Sequence, residues 1–427
     1  MELLQALDRF LAENVKGVSI DAQAVLAHVI RPPNYDDVSS DGGTEGSKVL
    51  FEPVQPPGVP YSLDVRAFQA VLDAALKDVV AGYVAQLRRS GQILFTNAWA
   101  YAIRGSELWS QDIPMHVASV SKLMTAMAMK VLLRDNKISP DAQIINYLPD
   151  YWAKGSNIEH ITFRNLFNHT SGLSANYLVD FDMMKSAIAG GINLNDLGQY
   201  NYQNLNYGLC RMVLAVINGN INKDLYWGVL GLPDPLSLND QIWDFMTIAA
   251  YEAYLQAKVF EPSNVGGATL DHPPGCALAY QGPPDNIGPG WNSGSLQQSC
   301  GCDGWHLSVN QLLNVMGEFR RGGGILTPDD AQAMLDDGFG VDPFIDGEAL
   351  PAALTTLAGN VYCKPGDWHD TNNRDEQSLA FFLPQDMELV VFVNSMVDGQ
   401  TGPPNNKFRQ VVKKAYLDSL VPSPPHL

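Results

Sequence analysis

A chain of 427 residues, 46% hydrophobic and 17% charged, can bury at least one substantial core; length alone suggests two to three domain-sized units, and the composition excludes disordered and fibrous classes. Its formal net charge of -19 excludes nucleic acid as a partner, because phosphate recognition needs clustered Lys and Arg. No segment reaches the roughly 20 uncharged apolar residues of a membrane span.

The first residues, "MELLQALDRFLAENVKG", carry Glu2, Asp8 and Glu13 where an export signal needs an unbroken apolar run. Five cysteines, an odd number without a disulfide-framework spacing, fit a reducing compartment, so a cytoplasmic location is expected. Cys300-Gly-Cys302 lacks the two-residue spacer and the companion Cys/His cluster of a metal or redox pair, and ordinary free thiols are expected.

Apolar positions at helical spacing (Leu3, Leu4, Leu7, Phe10, Leu11) predict a short amphipathic helix over residues 1–14. A proline-rich connector follows, from about Arg31 to Pro60. Residues 1–62 are therefore an extension, with three uses open to it: packing on the main body, covering its active site, or mediating a homo-oligomer. From Asp64, an acidic cap and apolar residues at i, i+3, i+4 and i+7 predict a helix. "VAGYVAQLRRSGQILFTNAWAYAI" predicts a hairpin turning at Ser90-Gly91. The apolar run "HVASVSKLMTAMAMKVLL" (116–133) predicts a second helix. Helical patterns and Gly/Pro/Asn loops continue to about residue 300, least regular over 262–299. "SLAFFLPQDMELVVFVNS" (378–395) predicts two strands around a Pro-Gln-Asp turn, and "NKFRQVVKKAYLDSL" a closing helix. This order predicts an α+β fold with an antiparallel sheet built from both chain ends: one catalytic domain over 63–427, its α/β part near 63–130 and 300–427 and its helical part near 131–299.

The second helix opens on Ser119 and Lys122, the one Ser-x-x-Lys in the chain. Residues three apart share a helical face, so hydroxyl and amine can meet. A serine needs a base to become a nucleophile, and a buried lysine is neutral enough to serve. A helix's first turn also offers N–H groups to an oxyanion. Against this stands the plain alternative of a serine N-cap and a solvated lysine, which the apolar run "LMTAMAMKVLL" makes uncomfortable.

Several stretches extend the pattern in order: "HVASVSKLMTA", then His169-Thr-Ser-Gly-Leu173, then "YNYQNLNYGLCRMVLAVINGN" with the one Tyr-x-Asn (Tyr202, Asn204), then "GWHLSVNQLLNVMGEFRRGGGILTP". Together these resemble the serine β-lactamase and penicillin-binding protein superfamily, in particular the class C β-lactamase-like esterases, amidases and D-aminopeptidases, over about Asp64 to Leu420. The resemblance implies the β-lactamase-like (DD-peptidase) fold and an acyl-enzyme on Ser119, with Lys122 and Tyr202 as base and acid. It implies that Asn204 binds Lys122 or a substrate carbonyl. "VYCKPGDW" stands where the family carries Lys-Thr-Gly, His-x-Gly or Trp-x-Gly; here Pro365 departs from that pattern. By the resemblance, Lys364 attracts a substrate carboxylate, Gly366 lets substrate approach, and the Asp367 N–H joins that of Ser119 in an oxyanion hole, with Trp368 or His369 as alternative lining residues. Proline is tolerated there if the strand runs along an edge or bulge.

The expectation is a serine hydrolase on small esters or lactones, needing no cofactor and no metal. No Gly-x-Ser-x-Gly, His-Glu-x-x-His or phosphate loop competes. The alternatives are an acyltransferase, a β-lactamase or a D-amino acid peptidase or amidase with the same residues, and a non-catalytic binding protein of the same fold. A triad through His116 or His169 stays open, with His169 expected to be structural.

Overall fold

The computed structural model describes residues 8–9, 61–174, 179–226, 235–282, 288–344, 353–397 and 407–423. The helix expected over residues 1–14, apart from Asp8 and Arg9, and the connector to residue 60 lie outside the described residues. In chain order come β1 (Tyr61–Leu63), α1 (Val65–Leu76), β2 (Gly82–Arg89), β3 (Gln92–Ile103), β4 (Glu107–Leu108), β5 (Met115–His116) and α2 (Ser121–Asp135). Next come α3 (Phe163–Phe167), α4 (Phe181–Gly190), α5 (Asn204–Ile217), α6 (Pro235–Leu255), β6 (His306–Leu307), α7 (Val309–Gly317) and α8 (Pro328–Asp336). The last are β7 (Leu354–Thr356), β8 (Gly359–His369), β9 (Asp375–Leu383), β10 (Met387–Val393), α9 (Lys407–Asp418) and β11 (Leu420–Pro422).

Seven strands form one antiparallel sheet in the order β4-β3-β2-β10-β9-β8-β7, so both chain ends contribute to it. The period of two along the strands sorts the core. Tyr83, Ala85 and Leu87 of β2, with Leu389, Val391 and Val393 of β10, face α1 and α9 through Phe68, Leu72, Phe408 and Val412. Val84, Val390 and Phe392 point the other way, into a larger core shared with α2, α5 and α6. Each such Leu or Phe contributes about 1.5–3 kcal/mol on burial, so a sheet covered on both faces is strongly favoured. The hairpin turns use paired left-handed residues, Ser90 and Gly91 (φ 47° and 80°) and Gln385 and Asp386 (φ 58° and 59°), the geometry that matches strand twist.

Helix α2 is buried on all sides except at Lys130, Arg134 and Asp135, as expected of a helix apolar around its circumference. It starts two residues later than the nucleophile motif, because a 3-10 turn (Ala118–Val120) precedes it. That turn hangs from a two-stranded ribbon in which Met115 pairs with Leu307 and His116 with His306, continued by the Val117 N–H donating to the Trp305 carbonyl at 2.9 Å. The strand β8 runs beside it. Among the described residues, no helix is long and apolar enough to cross a membrane.

Candidate active site

Ser119 sits on the 3-10 turn, where Ala118 adopts a left-handed φ of 46°. Its Oγ lies 2.8 Å from Lys122 Nζ and 2.8 Å from the hydroxyl of Tyr202, so the three sequence-predicted groups converge on one atom. Ser121, the neighbouring serine, is fully buried and accepts the Trp305 N–H at 3.2 Å. It holds the ribbon and takes no part in that convergence.

Lys122 is completely buried, and its amine is anchored by the Cys302 carbonyl at 2.7 Å. Burial pulls its pKa below the ordinary lysine value, with Cys302, Asp303 and Asp342 opposing. The Cys300-Gly-Cys302 segment thus earns its place through its backbone: the Cys302 carbonyl holds Lys122, and the Gly301 carbonyl accepts from Thr125 Oγ1 at 2.7 Å. A side chain at Gly301 (φ 97°) would meet the Tyr207 carbonyl at 2.5 Å. All five cysteines are buried and free.

Burial pushes the Tyr202 phenol up to about 12, against the pull of Lys364. The ring is held between cations and a histidine: Lys122 Nζ is 5.1 Å and Lys364 Nζ 4.9 Å from its centroid, and the His169 ring packs at 4.3 Å. His169 Nδ1 accepts the Gln203 N–H at 3.2 Å, and burial keeps its pKa well below the usual histidine value. It positions Tyr202, as expected of a structural histidine. Asn204 is the first residue of α5, whose start carries Tyr202 to the serine.

Strand β8 supplies the other wall. The Cys363 carbonyl accepts the Asp342 N–H at 2.9 Å and therefore points away from β9; Pro365 and Asp367, of the same parity, turn their backbone groups the same way. Partner strand β7 begins opposite Val361, so among the described residues no strand pairs with Pro365 on that side and its missing N–H costs no ladder bond. By the same parity the Asp367 N–H faces away from β9. Gly366 is pressed against the turn: a Cβ there would lie 2.4 Å from the Val117 carbonyl and 3.1 Å from Ser119 N. Trp368 stands edge-on to His116 at 5.5 Å between ring centroids. His369 lies 3.6 Å from the Asp367 carboxylate.

Lys364 departs from expectation. Its ammonium is 1% exposed and already paired with Asp342 at 2.5 Å, so its charge is not available to a substrate carboxylate in the way the resemblance implied. Sequence reasoning missed Asp342 because it lies 22 residues away in a loop with no motif around it. It also missed the surroundings of His116. That ring's Nε2 accepts the Gly304 N–H at 3.2 Å and its Nδ1 lies 3.3 Å from Glu376, both side chains fully buried. The ring is turned toward Gly304 and Glu376 rather than toward Ser119.

A seven-stranded antiparallel sheet with a buried Ser-x-x-Lys helix against it is the β-lactamase-like fold. Residues 67–235 match the Beta-lactamase family model, and the chain is similar to proteins of that family. Esterase EstB of Burkholderia gladioli is 31% identical over 147 residues, 32% of this chain and 37% of that protein. Penicillin-binding protein PbpX of Bacillus subtilis is 25% identical over 150 residues, 34% of this chain and 37% of that protein. These alignments span little more than a third of either relative. The crystal structure of FmtA from Staphylococcus aureus shares the fold with a TM-score of 0.59 at 13% identity, over 88% of this chain and 95% of that one.

Proposed function

We propose that the protein is a serine hydrolase that cleaves small esters or lactones through an acyl-enzyme on Ser119. The carrying observation is the meeting of Lys122 Nζ and the Tyr202 hydroxyl at Ser119 Oγ, each at 2.8 Å. Lys122, lowered by burial, has a neutral fraction whose lone pair takes the serine proton as Oγ attacks the carbonyl carbon. Tyr202, with its pKa near 12, stays a phenol at neutral pH and acts as a donor rather than a base. It passes a proton to the departing alkoxide and is reprotonated from Lys122. The N–H groups of Ser119 and Asp367 hold the oxyanion. Water, deprotonated by the same lysine, then releases the acid.

The pairing of Lys364 with Asp342 favours neutral acyl groups over the carboxylate-bearing substrates of β-lactamases. The name of the EstB relative points to the same bond type. A fluorophosphonate probe with intact-mass detection tests the reading, alongside a panel of p-nitrophenyl esters, nitrocefin and D-amino acid amides. One adduct per chain, lost in Ser119→Ala, and turnover led by the esters are expected. Folded protein that takes up no probe overturns the reading, and a panel led by nitrocefin or the amides overturns the substrate assignment.

A further inference from the structure

Three side chains outside the catalytic cluster meet in the irregular stretch that precedes β6. The donor atoms of His272, Cys276 and His306 all lie within 4.8 Å of one another. His272 and Cys276 come from one loop turn and His306 from the ribbon that carries the nucleophile, so the three join segments that share little regular structure.

Each donor is prepared for a soft or borderline cation. The His306 Nδ1 lies 3.4 Å from the Thr269 carbonyl and its Nε2 3.2 Å from the Ser293 hydroxyl, so a metal at Nε2 takes the place of that hydroxyl. The Nδ1 of His272 is buried without a hydrogen-bond partner, although the residue as a whole is half-buried and reaches solvent on one side. The Cys276 sulphur is buried beside the ribbon. Coordination itself supplies the thiolate, because a thiol bound to a metal is deprotonated outright.

The backbone around the ligands is also fixed. The His272 N–H donates to the Gly294 carbonyl at 3.0 Å, the Cys276 N–H to the Pro273 carbonyl at 3.1 Å, and the His306 N–H to the Thr269 carbonyl at 2.9 Å. Zinc bonds of about 2.3 Å to sulphur and about 2.0 Å to nitrogen set tetrahedral donors about 3.5 Å apart, which rotation of the half-buried His272 ring achieves.

From these observations we infer that His272, Cys276 and His306 form a zinc-binding site, with a water in the fourth position, that clips the 262–299 loop to the β5–β6 ribbon. Binding transfers the Cys276 proton to solvent and forms one S–Zn and two N–Zn bonds. His116 is not among the ligands: its Nε2 accepts the Gly304 N–H at 3.2 Å and its Nδ1 faces Glu376 at 3.3 Å. The clip is structural, so it holds whether or not Ser119 is a nucleophile.

The test is metal binding by the purified full chain. After stripping with dipicolinate, zinc titration should restore one equivalent per chain and raise the melting temperature. Cobalt in its place should give a thiolate-to-metal charge-transfer band. Cys276→Ser should abolish that band, and His272→Gln, at a half-buried loop position, should weaken zinc binding by more than the roughly 10- to 100-fold that loss of an outer-shell partner costs. Circular dichroism establishes that each variant is folded. A folded wild-type chain that binds no zinc, or a His272→Gln chain with wild-type affinity, overturns the inference, as does a cobalt complex without the sulphur band.

Discussion

Lys364 and Asp342 form a buried ion pair, 2.5 Å between Nζ and Oδ1, directly against the Tyr202 ring. The carboxylate cancels a charge that would otherwise face the substrate. In Asp342→Asn, kcat/KM for nitrocefin relative to a neutral p-nitrophenyl ester should rise about tenfold, worth about 1.4 kcal/mol. Thermal unfolding should show a cost of about 3–5 kcal/mol, since one partner of a buried pair is left behind. An unchanged substrate ratio would show that Lys364 has no part in discrimination.

Lys122→Met keeps the volume of the buried stem and removes the amine. Ester turnover should fall by about 10²–10⁴-fold, the span of general base catalysis, while the fold survives because no buried charge is left uncompensated. Steady-state rates with p-nitrophenyl acetate, read beside a melting curve, check this. Turnover within a few-fold of wild type removes Lys122 as the base.

The pH profile follows from the same amine. Burial lowers the Lys122 pKa, and only the neutral form accepts a proton; activity therefore falls as pH drops through that pKa and is retained above it. The inflection in kcat/KM should lie below the ordinary lysine value of about 10.4. Tyr202→Phe should lower the rate by about 10²-fold yet keep the inflection, because a phenol at about 12 titrates outside the window. Loss of the inflection in that variant would transfer the base role to tyrosine.

Gly366→Ala places a methyl group 2.4 Å from the Val117 carbonyl and 3.1 Å from Ser119 N, against backbone that has no room to yield. Strand and turn must separate, and overpacking of this kind costs about 1–3 kcal/mol. The variant should melt lower and lose at least about 10²-fold in ester turnover, as expected when an oxyanion donor is withdrawn. Wild-type acylation rates in a stopped-flow assay would mean that β8 does not line the reacting carbonyl.

Much of this architecture was legible in local chemistry. Asp64 caps α1 by accepting the N–H groups of Arg66 and Ala67, and Ser90-Gly91 and Pro-Gln-Asp make their turns, because these residues act on neighbours in sequence. The convergence of Ser119, Lys122 and Tyr202 was expected from the sequence because spacing and order carry it. The Cys302 carbonyl and Asp342 were hidden, since a backbone acceptor has no residue signature and a lone aspartate in a loop has no partner until the fold delivers one. The His272, Cys276 and His306 cluster was hidden by the 29 positions between its second and third members. Helix α2 begins at Ser121 and not at His116, because Ala118 takes a left-handed conformation that its sequence does not advertise.

The sheet's central pairing, β2 against β10, joins residues roughly 300 positions apart, a contact of high order that forms slowly. A chain leaving the ribosome therefore holds Ser119, Lys122 and Tyr202 long before β8 and β10 are synthesised. Until those strands dock, the Ser119, Lys122 and Tyr202 cluster stands without the wall that β8 places beside it. On the proposed function, competence would arrive with the last third of the chain, and an unfinished polypeptide would be spared a reactive serine.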